Sequence, residues 1–190
     1  MISSFYIRRK ERNESLLQTD FQEFHMNPAD LLYRELSEHE EKTRDFMLRL
    51  SLFDAFKSED LDVLARHMNY SEVMRGEYLF TEGDRGDFMC FVVHGLLEVL
   101  KKAIHGDYRA IARLGKGSTI GEMSIIDKAP RSASVIARQP TIVIILTKKG
   151  FDILTERYPT VGITLLKKIM RLLSLNMRRT SSKLADKMPA

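Results

Sequence analysis

The segment Gly121-Glu122-Met123-Ser124-Ile125-Ile126-Asp127-Lys128-Ala129-Pro130-Arg131-Ser132-Ala133 holds residue types, at a spacing, that can grip an anion. Glycine at 121 lets backbone approach a ligand closely, because no Cβ intervenes. Residues 122–126 are expected to form a single helical turn whose unused N–H groups point at negative charge. Pro130 is expected to end that turn and to hold Ala129 extended. Arg131 then enters the next strand with a planar guanidinium that can take two phosphate oxygens at once. Ser124 and Ser132 offer hydroxyls at the same place. Glu122 does not suit a bare phosphate; it needs a ligand that also presents a donor. A ribose 2′-hydroxyl, beside a phosphate cyclised across its own sugar, is such a donor. The plainer alternative is that Glu122 and Arg131 pair with each other in an empty site.

Three zones must position this segment. Residues 1–69 read as helical, with Asn27-Pro28 as one start and Leu32, Leu36, Phe46 and Leu50 on an interrupted apolar stripe. Ser58-Glu59-Asp60 reads as a second start, with the serine as cap, before Leu61, Leu64, Ala65 and Met68. Residues 70–147 switch to short runs bounded by glycine. Ser71–Met74, Tyr78–Phe80, Phe88–His94, Leu96–Lys101, Tyr108–Leu114, Ser132–Ala137 and Thr141–Thr147 all fit strands. The last, TIVIILT, is expected to be buried on both sides. Gly83, Gly86 and Gly95 are expected to be turn residues without ligand contact. Phe88, Phe91, Val92 and Val93 read as core before they read as a base-binding slot. Lys148–Arg157 is a short amphipathic helix, and Pro159 begins a longer one running to about Lys187.

Size and charge narrow the classes. The 190 residues, 44% hydrophobic and 29% charged, suit one globular domain with helical additions. Apolar runs such as Ile142–Leu146 are far too short to cross a bilayer. One cysteine, Cys90, cannot form an internal disulfide, and the five histidines lack metal-ligand spacing, so a cytoplasmic protein without a metal is expected. The net +4 is uneven: residues 1–70 carry −4, 71–157 carry +2 and 158–190 carry +6. A basic tail invites nucleic acid. Cations in the last turns of a helix also suit the negative end of its dipole, and that reading is preferred.

The string IGEMSIIDKAPRSASV closely resembles the phosphate-binding cassette of cyclic-nucleotide-binding domains. These domains occur in the bacterial catabolite activator, protein kinase A regulatory subunits and cyclic-nucleotide-gated channels. LFDAF before a helix, GEYLFTEGDRGDFMCFVVHGLLEV and GKGSTIGE follow in the family's order, over roughly residues 50–185. The resemblance implies a jelly-roll β-barrel flanked by helices, with an extension over 1–49, the domain over 50–187 and a tail at 188–190. It implies Glu122 on the ribose 2′-hydroxyl and Arg131 on the cyclic phosphate. The amides around Gly121, Met123 and Ser124, with Ser132 and Ala133, would complete the cradle.

The sequence departs from the activator in ending at Ala190, before a helix-turn-helix reader would fit. The expected function is a non-catalytic sensor of cAMP, with cGMP possible and no cofactor, signalling to an unidentified downstream protein. The alternative is a module of the same fold that needs no ligand. A phosphodiesterase is disfavoured, since nothing resembles a metal-clamped site. Arg178-Arg179-Thr180-Ser181 matches a basic-basic-X-Ser phosphorylation pattern, although such motifs arise easily by chance. On the long helix, Leu165, Ile169, Leu172, Asn176, Arg179 and Lys183 form one stripe. Leu166, Met170, Leu173, Met177, Thr180 and Leu184 form another. One is expected to pack on the barrel and the other to meet a second chain. Asn176 either caps the nucleobase or sets the register of that homodimer.

Overall fold

A computed structural model describes residues 35–103 and 106–185. The expected start at Asn27-Pro28, the stripe residue Leu32 and the tail at 188–190 lie outside the described residues. Helix α1 (Glu38–Met47) is followed by a 3-10 turn (Ser51–Phe53) and α2 (Ser58–His67). Strands β1 (Met68–Val73), β2 (Tyr78–Phe80), β3 (Phe88–His94), β4 (Leu97–Lys102), β5 (Tyr108–Leu114) and β6 (Thr119–Ile120) come next. A six-residue helix α3 (Glu122–Asp127) precedes β7 (Ser134–Ala137) and β8 (Thr141–Thr147), and the described chain closes on α4 (Lys148–Arg157) and α5 (Pro159–Ala185).

The strands form two antiparallel four-stranded sheets, ordered β1-β8-β3-β6 and β2-β7-β4-β5, the expected jelly-roll arrangement with helices at both ends. Strand period two explains how one of them serves two cores. On β3, Phe88, Cys90 and Val92 join Leu79, Leu97, Val99 and Val135 from the other sheet. The alternate residues Met89, Phe91 and Val93 join Phe46, Leu64, Leu154 and Leu165 from the helices. Strand β8 behaves likewise, with Val143 in the first cluster and Ile144 and Leu146 in the second. That is the two-sided burial its β-branched run predicts, and Phe88, Phe91, Val92 and Val93 are core as expected.

Several boundaries differ for local reasons. Ser58 is not the cap of α2: Lys57 is, and its N–H is held by the Asp60 carboxylate at 3.1 Å. The cap of α1 is Ser37, in a reciprocal box with Glu40. Strand β1 begins three residues early because Met68 already pairs with Leu146 of β8. Strand β7 begins two residues late because Arg131–Ala133 are used in leaving the candidate site. Strand β6 was not expected, and two residues are too few to show a period. Gly83 and Gly95 take the left-handed turn conformation, at φ +89° and +97°. Gly86 does not; a Cβ there would lie 2.1 Å from Ser124 Cβ, so its role is close approach to the candidate site.

Candidate binding site

Helix α3 is a short turn with a polar interior. Gly121 caps its start at φ +88°, a conformation that strains any residue with a Cβ. A Cβ at 121 would also fall 2.5 Å from an Arg131 guanidinium nitrogen and 3.0 Å from the Phe88 carbonyl. Glu122 (8% exposed), Ser124 and Ile125 face inward, whereas Met123 and Ile126 are exposed. Ile125 is buried in the helical core cluster that also holds Leu154 of α4 and Leu165 and Ile169 of α5. The helix ends before Pro130 can act. Lys128 takes the left-handed conformation at φ 58°, and the Asp127 carboxylate accepts the Ala129 N–H at 2.9 Å.

Arg131 is only 3% exposed. Its backbone is held on both sides: its N–H donates to the Asp84 carbonyl at 2.8 Å, and its carbonyl accepts from Gly83 N–H at 2.9 Å. The guanidinium donates to the Phe88 carbonyl at 2.8 Å and the Gly121 carbonyl at 3.3 Å. It also lies 4.1 Å from the Phe80 ring centre and 4.4 Å from that of Phe88. The two rings were legible as core only; that they flank the cation could not be read from spacing. Phe80 closes β2 and Phe88 opens β3, so the topology alone brings them together.

Glu122 complements this cation. Burial pushes its carboxyl above the usual carboxylate range, against the opposing effects of a backbone hydrogen bond and the Arg131 charge. Its Oε2 is buried without a hydrogen-bond partner among the described residues. A buried acceptor left open is costly, and it suits a ligand hydroxyl.

The sequence-predicted residues divide. Gly121, Glu122, Ser124 and Arg131 converge. Met123 and Ser132 are exposed and Ala133 is half-buried, so only their backbone can serve an inward site. Asn176 is half-buried on α5, beyond Val161, Leu165 and Ile169, which are buried, and Leu173, which is partly so. Its carbonyl accepts the Thr180 hydroxyl at 3.0 Å.

Residues 71–158, from β1 to just past α4, match the model of the cyclic nucleotide-binding domain. The crystal structure of a cyclic nucleotide-binding domain from Methylobacillus flagellatus KT is 30% identical, with a TM-score of 0.71, over 80% of this chain and 86% of that one. The chain belongs to the cyclic nucleotide-binding domain family. It is also similar to the Cyclic AMP receptor protein of Thermus thermophilus, at 30% identity over 58% of this chain and 51% of that protein. A cAMP-dependent protein kinase regulatory subunit of Mycosarcoma maydis is 28% identical over 50% of this chain and 18% of that protein. The chain thus spans about half, or less, of the length of these two relatives. The family match contains every cassette residue but not Asn176, which falls in α5. No helix among the described residues is long and apolar enough to cross a membrane.

Proposed function

We propose that this cyclic nucleotide-binding domain is a non-catalytic, cytoplasmic sensor that takes cAMP in preference to cGMP and relays occupancy through its C-terminal helix. The observation carrying this reading is the buried Glu122 Oε2, open to a donor, in the same turn that holds the buried Arg131 cation. A cyclic nucleotide supplies both complements at once: an anionic phosphate and an adjacent 2′-hydroxyl. The relay is a population shift. Movement of α3 displaces Ile125, which shares its core with Leu154 of α4 and Leu165 and Ile169 of α5. The exposed members of the second α5 stripe, Met170 and Met177, would then meet a second copy of the chain, and Asn176 would cap the base or set the register. Neither membrane nor nucleic acid enters this scheme.

A thermal-shift panel of cAMP, cGMP, cyclic dinucleotides and linear nucleotides tests it. Ligand at a hundred times its dissociation constant adds about 2.7 kcal/mol of stability. A panel without any shift overturns the reading. A cGMP affinity about ten-fold above that for cAMP overturns the preference alone. One observation favours a module that needs no ligand: the Arg131 guanidinium is already bonded to the chain's own carbonyls. The same panel separates the two.

A further inference from the structure

Resting on that reading, we propose that Lys101 and Glu82 form a positioning clamp that aims the amides following Arg131 at the bound phosphate. Lys101 lies on β4, where its neighbour Leu100 pairs with Ser134 of β7. Its ammonium donates to Glu82 Oε1 at 2.6 Å and to the Ser132 carbonyl at 2.6 Å. Glu82 is itself fixed: Oε2 accepts from Lys102 N–H at 3.1 Å, and its own N–H donates to Ser134 Oγ at 2.9 Å.

The consequence follows from peptide geometry. In a trans peptide the C=O and the N–H point in opposite directions, and no cis peptide occurs among the described residues. Gly83, by holding the Arg131 carbonyl, fixes the direction of the Ser132 N–H. Lys101, by holding the Ser132 carbonyl, fixes the direction of the Ala133 N–H. Two successive donors are thereby set from behind, by groups that need not touch the ligand. The salt bridge is partly exposed, with side chains 47% and 26% accessible. Pairs of that kind contribute little to folding, so the clamp's effect falls on binding.

The test is titration calorimetry with cAMP, alongside thermal unfolding of the unliganded protein. Lys101→Met and Glu82→Gln should each weaken binding about five-fold, the effect of one net hydrogen bond. The double variant should be no weaker than the worse single one, because the two act as a unit. Lys101→Arg, which can still reach both acceptors, should stay within about two-fold of wild type. The unliganded midpoint should move by less than about 3 °C in all of them. Wild-type affinity in Lys101→Met overturns the clamp while leaving the functional reading intact. So does a loss of affinity that tracks lost stability and is not rescued by arginine. A wild-type protein that binds no cyclic nucleotide overturns both.

Discussion

The cassette and the outer half of α5 invert each other. Around α3 the buried side chains include the polar ones, Glu122, Ser124 and Arg131, while the apolar Met123 and Ile126 face solvent. On α5, Val161, Leu165 and Ile169 are buried, whereas Met170 and, further along, Leu175 and Met177 are exposed, the last at 70%. Polar groups buried at a cost point to a small polar ligand. Apolar groups left in solvent along a helix point to a macromolecular surface. In the proposed scheme the first region senses and the second presents, and Ile125 shares the helical core with Leu165 and Ile169 of α5.

The largest expected effect breaks the sensing side. Arg131→Ala should lower cAMP and cGMP affinity by at least about 100-fold, since it removes two charge-assisted hydrogen bonds of about 1.5–3 kcal/mol each. Arg131→Lys should retain part of the loss, because one ammonium cannot reproduce a fork. Unchanged affinity by calorimetry in Arg131→Ala would remove the cassette from consideration as a site.

Glu122→Gln should weaken binding about ten-fold and blunt discrimination against 2′-deoxy analogues. It should also stabilise the unliganded protein at neutral pH, by about 1 kcal/mol, by discharging a buried carboxylate. Because burial raises the Glu122 pKa, the folded chain keeps a proton that the unfolded chain has released. Its contribution to stability is present at low pH and is lost as pH rises through the raised value. Glu82 has the opposite sign. The hydrogen bond from Lys101 lowers its pKa first of all, so its contribution is lost as pH falls through the depressed value. Urea unfolding from about pH 4 to pH 7, in wild type and Glu122→Gln, reads the difference; a variant with the wild-type slope contradicts the assignment.

On the side proposed to be presented, Met170→Glu combined with Met177→Glu should dissociate the proposed dimer in sedimentation while moving cAMP affinity by less than about two-fold. Asn176→Leu then refines the role of α5. Unchanged affinity with an altered oligomer distribution assigns Asn176 to register, and lowered affinity in a persistent dimer assigns it to the base. A wild-type protein that is monomeric with and without ligand ends the dimer proposal.

The smallest effect concerns backbone strain. Lys128 is the non-glycine residue with positive φ among the described residues, and Lys128→Gly should raise unliganded stability by about 0.5–1 kcal/mol. An unchanged or lower urea midpoint would argue that unfolded-state entropy outweighs the relief.

The sequence makes the strands legible where apolar runs end on turn residues, as at Tyr78–Phe80, Phe88–His94, Tyr108–Leu114 and Thr141–Thr147, whose bounds agree with the structure. It obscures those whose ends are set by partners, such as β1 against β8 and the two-residue β6 against β3. In the cassette, residue types disclose a glycine, an acid and an arginine suited to one ligand. They do not disclose the rings of Phe80 and Phe88 on the arginine, the seat of Gly86 under Ser124, or the reach of Lys101 to the Ser132 carbonyl. Each of these joins residues more than 25 positions apart, and no local pattern encodes such distances.

Strand β3 places an unusual demand on sequence drift. Its even-numbered residues build the wall between the sheets and its odd-numbered ones the wall beneath the helices, while the Phe88 carbonyl and ring hold the arginine. A one-residue insertion in Phe88–His94 would exchange the two inventories in a single step. Variation should therefore enter this strand as substitutions of matched volume and not as changes in length, while the exposed edge strand β5 remains free to accept both.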